Sequence, residues 1–144
     1  MFYLRIGPKK VRLIFIALLI LVAIALLFCT SEKGVIKSCY DDADERRNFI
    51  KVYGFETDEN YTAKTITIPL VWSDVYEKYN NLQKSQGYDL SLFKGVTVTQ
   101  YTYTVTNYPT DDVVLVHLLV YDGVIIGADV MSTAADGFIE GLKF

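Results

Sequence analysis

The chain has 144 residues, about the size of one domain, and 51% of them are hydrophobic, too many for a disordered chain. Its acidic residues outnumber its basic ones, 17 against 14, and four of the basic ones (Arg5, Lys9, Lys10 and Arg12) fall in the first twelve positions. The rest of the chain therefore carries 10 basic against 17 acidic residues, about −7, which argues against a nucleic-acid partner, because phosphate binding needs clustered Lys and Arg.

The run Leu13–Phe28 has sixteen residues and no charge. As a helix it reaches about 24 Å. That is short for a hydrocarbon core of about 30 Å, though Arg12 can snorkel at one end. A helix apolar on every face needs a membrane or a much larger protein around it. The basic residues before it favour a cytoplasmic N-terminus and a domain outside. Three outcomes compete. The helix stays as a single-pass anchor; a peptidase cuts after Ser31, releasing a secreted domain; or Cys29 is lipidated. The anchor is preferred, because no Ala-x-Ala site precedes Glu32 and Phe28 is a poor neighbour for a lipidated cysteine. The expected division is residues 1–31 as basic stub and membrane helix, 32–39 as linker and 40–144 as the extracytoplasmic domain. Cys29 lies at the boundary, so only Cys39 remains for the domain, and no disulfide framework or thiolate metal site is available.

Tyr40 to Tyr53 reads as a helix, acidic at its start and basic later, with Phe49, Ile50 and Tyr53 inward and Gly54 as its stop. Its acid cluster lacks EF-hand spacing, so no metal is expected. Thr62 to Leu70 alternates as a half-buried strand that Pro69 ends. Ser73 caps a second helix, Asp74 to Gln86, with Val75, Tyr79, Leu82 and Gln86 on its buried stripe. Val96 to Asn107 is a strand whose apolar phase changes, which predicts a β-bulge near Thr99 or Gln100. Val113 to Tyr121 is apolar on both faces and belongs in mid-sheet. Asp122-Gly123 makes a two-residue hairpin, and Val124 to Met131 returns. Ser132 to Phe144 reads as loop and packed tail. These elements predict an α+β domain of two layers, with two helices on one face of a mostly antiparallel four-stranded sheet.

Chemistry-bearing residues are sparse, and no cofactor motif or catalytic set stands out. His117 is the sole histidine. In a regular Asp-Gly hairpin Tyr121 pairs with Val124, which sets His117 opposite Ala128 and Asp129 opposite Val116. The two side chains then point to opposite faces, which disfavours a His–Asp pair. A lone carboxylate such as Asp129 in an apolar strand must be exposed or hydrogen-bonded. Asp129 with Asp136 as a carboxylate pair, or Asp129 with His117, would be the acid–base set of an envelope hydrolase. Turn formation accounts for Asp136-Gly137. Asn60-Tyr61-Thr62 fits a glycosylation sequon, which matters only in a eukaryotic secretory route. The better expectation is a non-enzymatic module binding a peptide, a glycan or another envelope protein. Its candidate surface is Asn107, Tyr108, Asp129, Asp136 and Gly137, at loops and strand ends.

Several stretches together resemble a known family. They are Ile68-Pro69, Val75-Tyr76, Tyr79-Asn80, Gln83 to Gly87, Asp89-Leu90, Tyr101-Thr102-Tyr103, Asn107-Tyr108-Pro109, Leu119 to Gly123, Ile125 to Asp129 and Asp136-Gly137-Phe138. The likeness, over roughly Asp44 to Leu142, is to the small Firmicutes family DUF4830, a domain of unknown function. Members often carry Gly-Gly-Asp where this chain has Gly127-Ala128-Asp129. The resemblance implies a bacterial source and an anchored or exported domain, and it transfers no catalytic residue.

Overall fold

The computed structural model describes residues 40–142. The apolar run Leu13–Phe28, the linker 32–39 and Cys29 lie outside the described residues. Among the described residues no helix is long and apolar enough to cross a membrane.

Helix α1 spans Ala43–Val52. It starts later than expected, because Asp42 caps it by accepting from the amides of Asp44 and Glu45. Strand β1 (Thr57–Thr67) follows, then α2 (Asp74–Ser85), capped by Ser73, and a short 3-10 turn at Leu90–Phe93. Strands β2 (Thr97–Val105), β3 (Val114–Tyr121), β4 (Val124–Ser132) and β5 (Ile139–Glu140) complete the chain. The sheet is antiparallel with order β1-β2-β3-β4-β5. The domain is thus α+β, with β3 in the middle as its two apolar faces predict. The sheet has five strands rather than four, because the tail after Ser132 folds back and adds β5 to β4.

Directly paired residues share a face, so the register sorts the core. Tyr103, Val116 and Val130 line one face, with Ile50 of α1, Phe55 and Leu142 packed on them. Val98, Leu119 and Ile126 line the other, with Ile68, Leu90, Tyr76 and Tyr79. The two helices therefore cover opposite faces, in three layers, and not one face as the sequence suggested. This also removes the bulge expected near Thr99. Strand β2 pairs without interruption from Thr97 to Tyr103, and its phase changes because Val98 feeds one core while Tyr103 and Val105 feed the other.

The buried side of α2 is polar as well as aromatic. Asn80 and Gln83 within the helix and Gln86 at its C-cap are buried, while Val75 is 77% exposed. Their burial serves a sheet edge. In the β4–β5 register, where Val130 faces Glu140, the pair two residues further on would be Ala128 and Leu142. The Gln86 amide fills that place: its Nε2 donates to the Ala128 carbonyl at 2.9 Å and its Oε1 accepts from the Leu142 amide at 2.7 Å. The Ala128 amide in turn donates to Gln83 Oε1 at 2.9 Å. Gln86→Leu leaves a buried carbonyl and a buried N–H unpaired, and is expected to cost about 2 kcal/mol. Urea unfolding checks the loss, and limited proteolysis should show earlier cutting between Ser132 and Leu142. Unchanged values on both counts would rule out the bridging role.

Candidate functional site

The hairpin between β3 and β4 turns at Asp122 and Gly123, both with positive φ (49° and 72°), as a two-residue turn of this kind requires. Tyr121 pairs with Val124 and Val120 with Ile125, as expected. The register then shifts, so that Leu119 pairs with Gly127 and His117 with Asp129. The extra residue is a β-bulge at Ile125-Ile126. It corrects the expectation that His117 and Asp129 point to opposite faces. One inserted residue reverses the side of every later residue in β4 relative to β3. The packing reason is visible: Ile125 enters the core under α1 and Ile126 the core under α2.

On the α2 face the bulge assembles a three-residue network. Asp129 is 2% exposed. His117 Nδ1 lies 2.9 Å from its Oδ1, and the Tyr79 hydroxyl donates to its Oδ2 at 2.7 Å. Burial first, and the Asp129 carboxylate second, raise the Tyr79 pKa above its ordinary value, so the phenol keeps its proton and acts as donor. Asp129 thus ties α2, β3 and β4 together, and both of its oxygens are engaged. His117 stays partly open, with 14% of its side chain exposed. With Nδ1 held by Asp129, Nε2 is the nitrogen left for proton exchange. Thr102 of β2 is the cross-strand neighbour of His117. Among the described residues no hydroxyl or thiol is hydrogen-bonded to the His117 ring.

Beside this network an apolar groove of about 450 Å³ runs between α2 and β5, lined by Val75, Tyr76, Lys78, Tyr79, Leu82 and Ile139. Of the stripe expected to be buried, Gln86 is buried and Tyr79 packs on the core under α2, whereas Val75 is exposed and lines the open groove with Leu82.

The other candidate residues lie away from Asp129. Asn107 is a structural tie: its Oδ1 accepts from the Glu56 amide at 2.9 Å and its Nδ2 donates to the Gly54 carbonyl at 2.8 Å. Tyr108 stacks between Phe55 and Phe138, with ring centroids 6.4 and 5.3 Å away. Asp136 is exposed and shares no groove with Asp129 among the described residues. Gly137 is held by close approach, since an added Cβ would lie 2.7 Å from the Ser132 carbonyl and 2.9 Å from that of Ala134. Gly137→Ala is therefore expected to destabilise the fold by about 1–3 kcal/mol. A thermal midpoint equal to that of the parent chain would contradict this. The structure thus gathers Asn107, Tyr108, Asp136 and Gly137 at one end of the sheet and places Asp129 inside the helix–sheet layer. Tyr79 and the groove were missed as site components, and a bulge-shifted register was the signal that could have joined Tyr79, His117 and Asp129.

Among the described residues no group of His, Cys, Asp and Glu could hold a metal ion. No curated protein and no solved structure matches the chain. A family model described as Domain of unknown function matches residues 49–130, which takes in Tyr79, His117 and Asp129 and leaves out Asp136 and Gly137. With more than half of its length matched, the chain belongs to the DUF4830 family.

Proposed function

We propose that this domain is held at the outer side of a bacterial cell membrane by the run Leu13–Phe28 and serves there as a non-enzymatic binding module for an envelope polypeptide. One observation carries the binding part: the apolar groove at Val75, Tyr76, Tyr79, Leu82 and Ile139 stands open beside a network whose carboxylate is already fully engaged. Its lining offers apolar area and a single cation, Lys78, which suits the side chains of a peptide better than the hydroxyls of a glycan. The reading requires no cofactor and no nucleic acid. The test is a photo-crosslinking residue at Leu82 of the full chain, expressed in a Gram-positive host. Cross-links to polypeptide, absent when the same residue replaces Lys51, are expected. Cross-links to glycan, or none, would overturn the peptide reading. The anchor is tested separately by mass spectrometry of the mature N-terminus, and a start at Cys29 or Glu32 would replace it with a lipid-anchored or secreted form.

A second reading, an envelope hydrolase, is favoured by the 2.9 Å contact of His117 with Asp129, which leaves Nε2 as a general base. Among the described residues no nucleophile is bonded to His117. Labelling of the chain by a fluorophosphonate, lost in His117→Gln, would put this reading first.

A further inference from the structure

One end of the sheet carries exposed apolar side chains on three separate loops. In the loop after β1, Leu70 is 73% and Val71 88% exposed. In the 3-10 turn before β2, Leu92 is 77% exposed. At the β3–β4 hairpin, Tyr121 is 43% and Val124 46% exposed. These loops are neighbours in space. The Ile68 amide donates to the Val96 carbonyl and the Gly95 amide to that of Ile68. Leu70 packs so closely on Gly95 that an added Cβ there would lie 2.8 Å from it. Phe93 meets Tyr121 edge-on at 5.8 Å. Trp72 sits among them, its indole N–H bonded to the Pro69 carbonyl and the Lys94 ammonium over its ring at 4.1 Å. An amphipathic Trp, a nearby Lys and protruding Leu and Val are what a membrane interface accepts.

The course of the chain says which surface this end meets. The Tyr40 amide donates to the carbonyl of Gly123, at the hairpin tip, at 3.0 Å. The described domain therefore begins at the same end that bears the apolar loops. Only residues 29–39 separate Tyr40 from the apolar run Leu13–Phe28. On the anchor reading, eleven residues at no more than about 3.6 Å each keep this end within about 40 Å of the bilayer that would hold the run.

We propose that Leu70, Val71, Trp72, Leu92 and the Tyr121–Val124 hairpin form a lipid-facing surface that seats the domain on the membrane holding its own N-terminal run. This rests on the anchor reading above. Among residues 68–73, 90–96 and 121–124 the charged groups are Lys94 and Asp122, one of each sign, so the contact is apolar and not electrostatic. It differs from a polybasic surface in being insensitive to salt.

Trp72 is the sole tryptophan, so its fluorescence reports this surface directly. The full chain is reconstituted into phosphatidylglycerol–phosphatidylcholine vesicles with and without brominated acyl chains, and floated on a density gradient. The expected result is that the chain floats and that brominated lipid removes most of the Trp72 emission, at low and high salt alike. The triple variant Leu70→Ser, Val71→Ser, Leu92→Ser should recover much of the emission. Val71→Ser alone, at the most exposed of these positions, should recover part of it without threatening the fold. Val113→Ser, exposed at the other end of the sheet, should change nothing. A chain that floats but keeps its full emission overturns the lipid-facing surface and leaves the anchor standing. Quenching that high salt abolishes overturns it as an apolar contact. A chain that stays at the bottom of the gradient overturns both.

Discussion

Arg46→Ala is expected to cost about 3–5 kcal/mol, the largest loss from any single truncation outside the aliphatic core. Arg46 has no exposed surface, although it sits near the start of a short helix. Its Nε donates to the Tyr103 hydroxyl at 2.8 Å, and one Nη donates to the carbonyls of Tyr40 and Asp41 at 2.7 Å each. The guanidinium also lies over the rings of Tyr101 and Tyr61, at 3.6 and 4.8 Å from their centroids. Alanine removes three hydrogen bonds and two cation–π contacts at once, and leaves a cavity between α1 and the sheet. Lysine cannot restore them, because a single ammonium lacks both the fork and the flat face. Arg46→Lys is expected to recover less than half of the loss. Urea midpoints of the detergent-solubilised full chain measure both. A loss below about 1 kcal/mol in the alanine variant would show that the tyrosine cage is incidental to stability.

Asp129→Ala is expected to cost about 3 kcal/mol, since it strands the Tyr79 hydroxyl and His117 Nδ1 beside an apolar layer. The sharper measurement is the cycle with Tyr79→Phe. Once Asp129 is gone, the Tyr79 hydroxyl has lost its acceptor, so the double variant should lose less than the sum of the two singles by about 1–2 kcal/mol. Simple additivity would mean that the 2.7 Å hydrogen bond contributes nothing to the docking of α2. Asp129→Asn keeps one acceptor oxygen but sets an NH₂ group against one of its two partners, and should fall between the parent and the alanine variant.

Local chemistry made much of this fold legible in the sequence. Ser73 before α2, Gly54 after α1, Pro69 after β1 and the Asp122-Gly123 turn each act within four residues, and each stands where the pattern put it. The apolar run in β3 likewise reveals a strand with both faces covered. What stayed hidden depends on contacts distant in sequence. The side chosen by each helix follows from Ile50 and Tyr79 meeting strands fifty or more residues away, which no local period encodes. The buried role of Arg46, Gln83 and Gln86 runs against their usual exposure. The bulge at Ile125-Ile126 is the clearest case: two adjacent isoleucines serve two different cores, and a period-2 count through them sets Asp129 on the wrong side of the sheet. For the site, Asp129 was visible as a carboxylate in need of a partner, but neither of its partners was.

Every strand in this sheet is hydrogen-bonded to the strand nearest to it in the chain. A polypeptide delivered N-terminus first can therefore build the sheet in the order in which it arrives, each new strand finding its template already in place. Only the last step must wait: β5 and Leu142 close onto an edge that Gln86 has prepared in advance. Refolding should therefore show one phase for the sheet, with the final turn of the chain locking last.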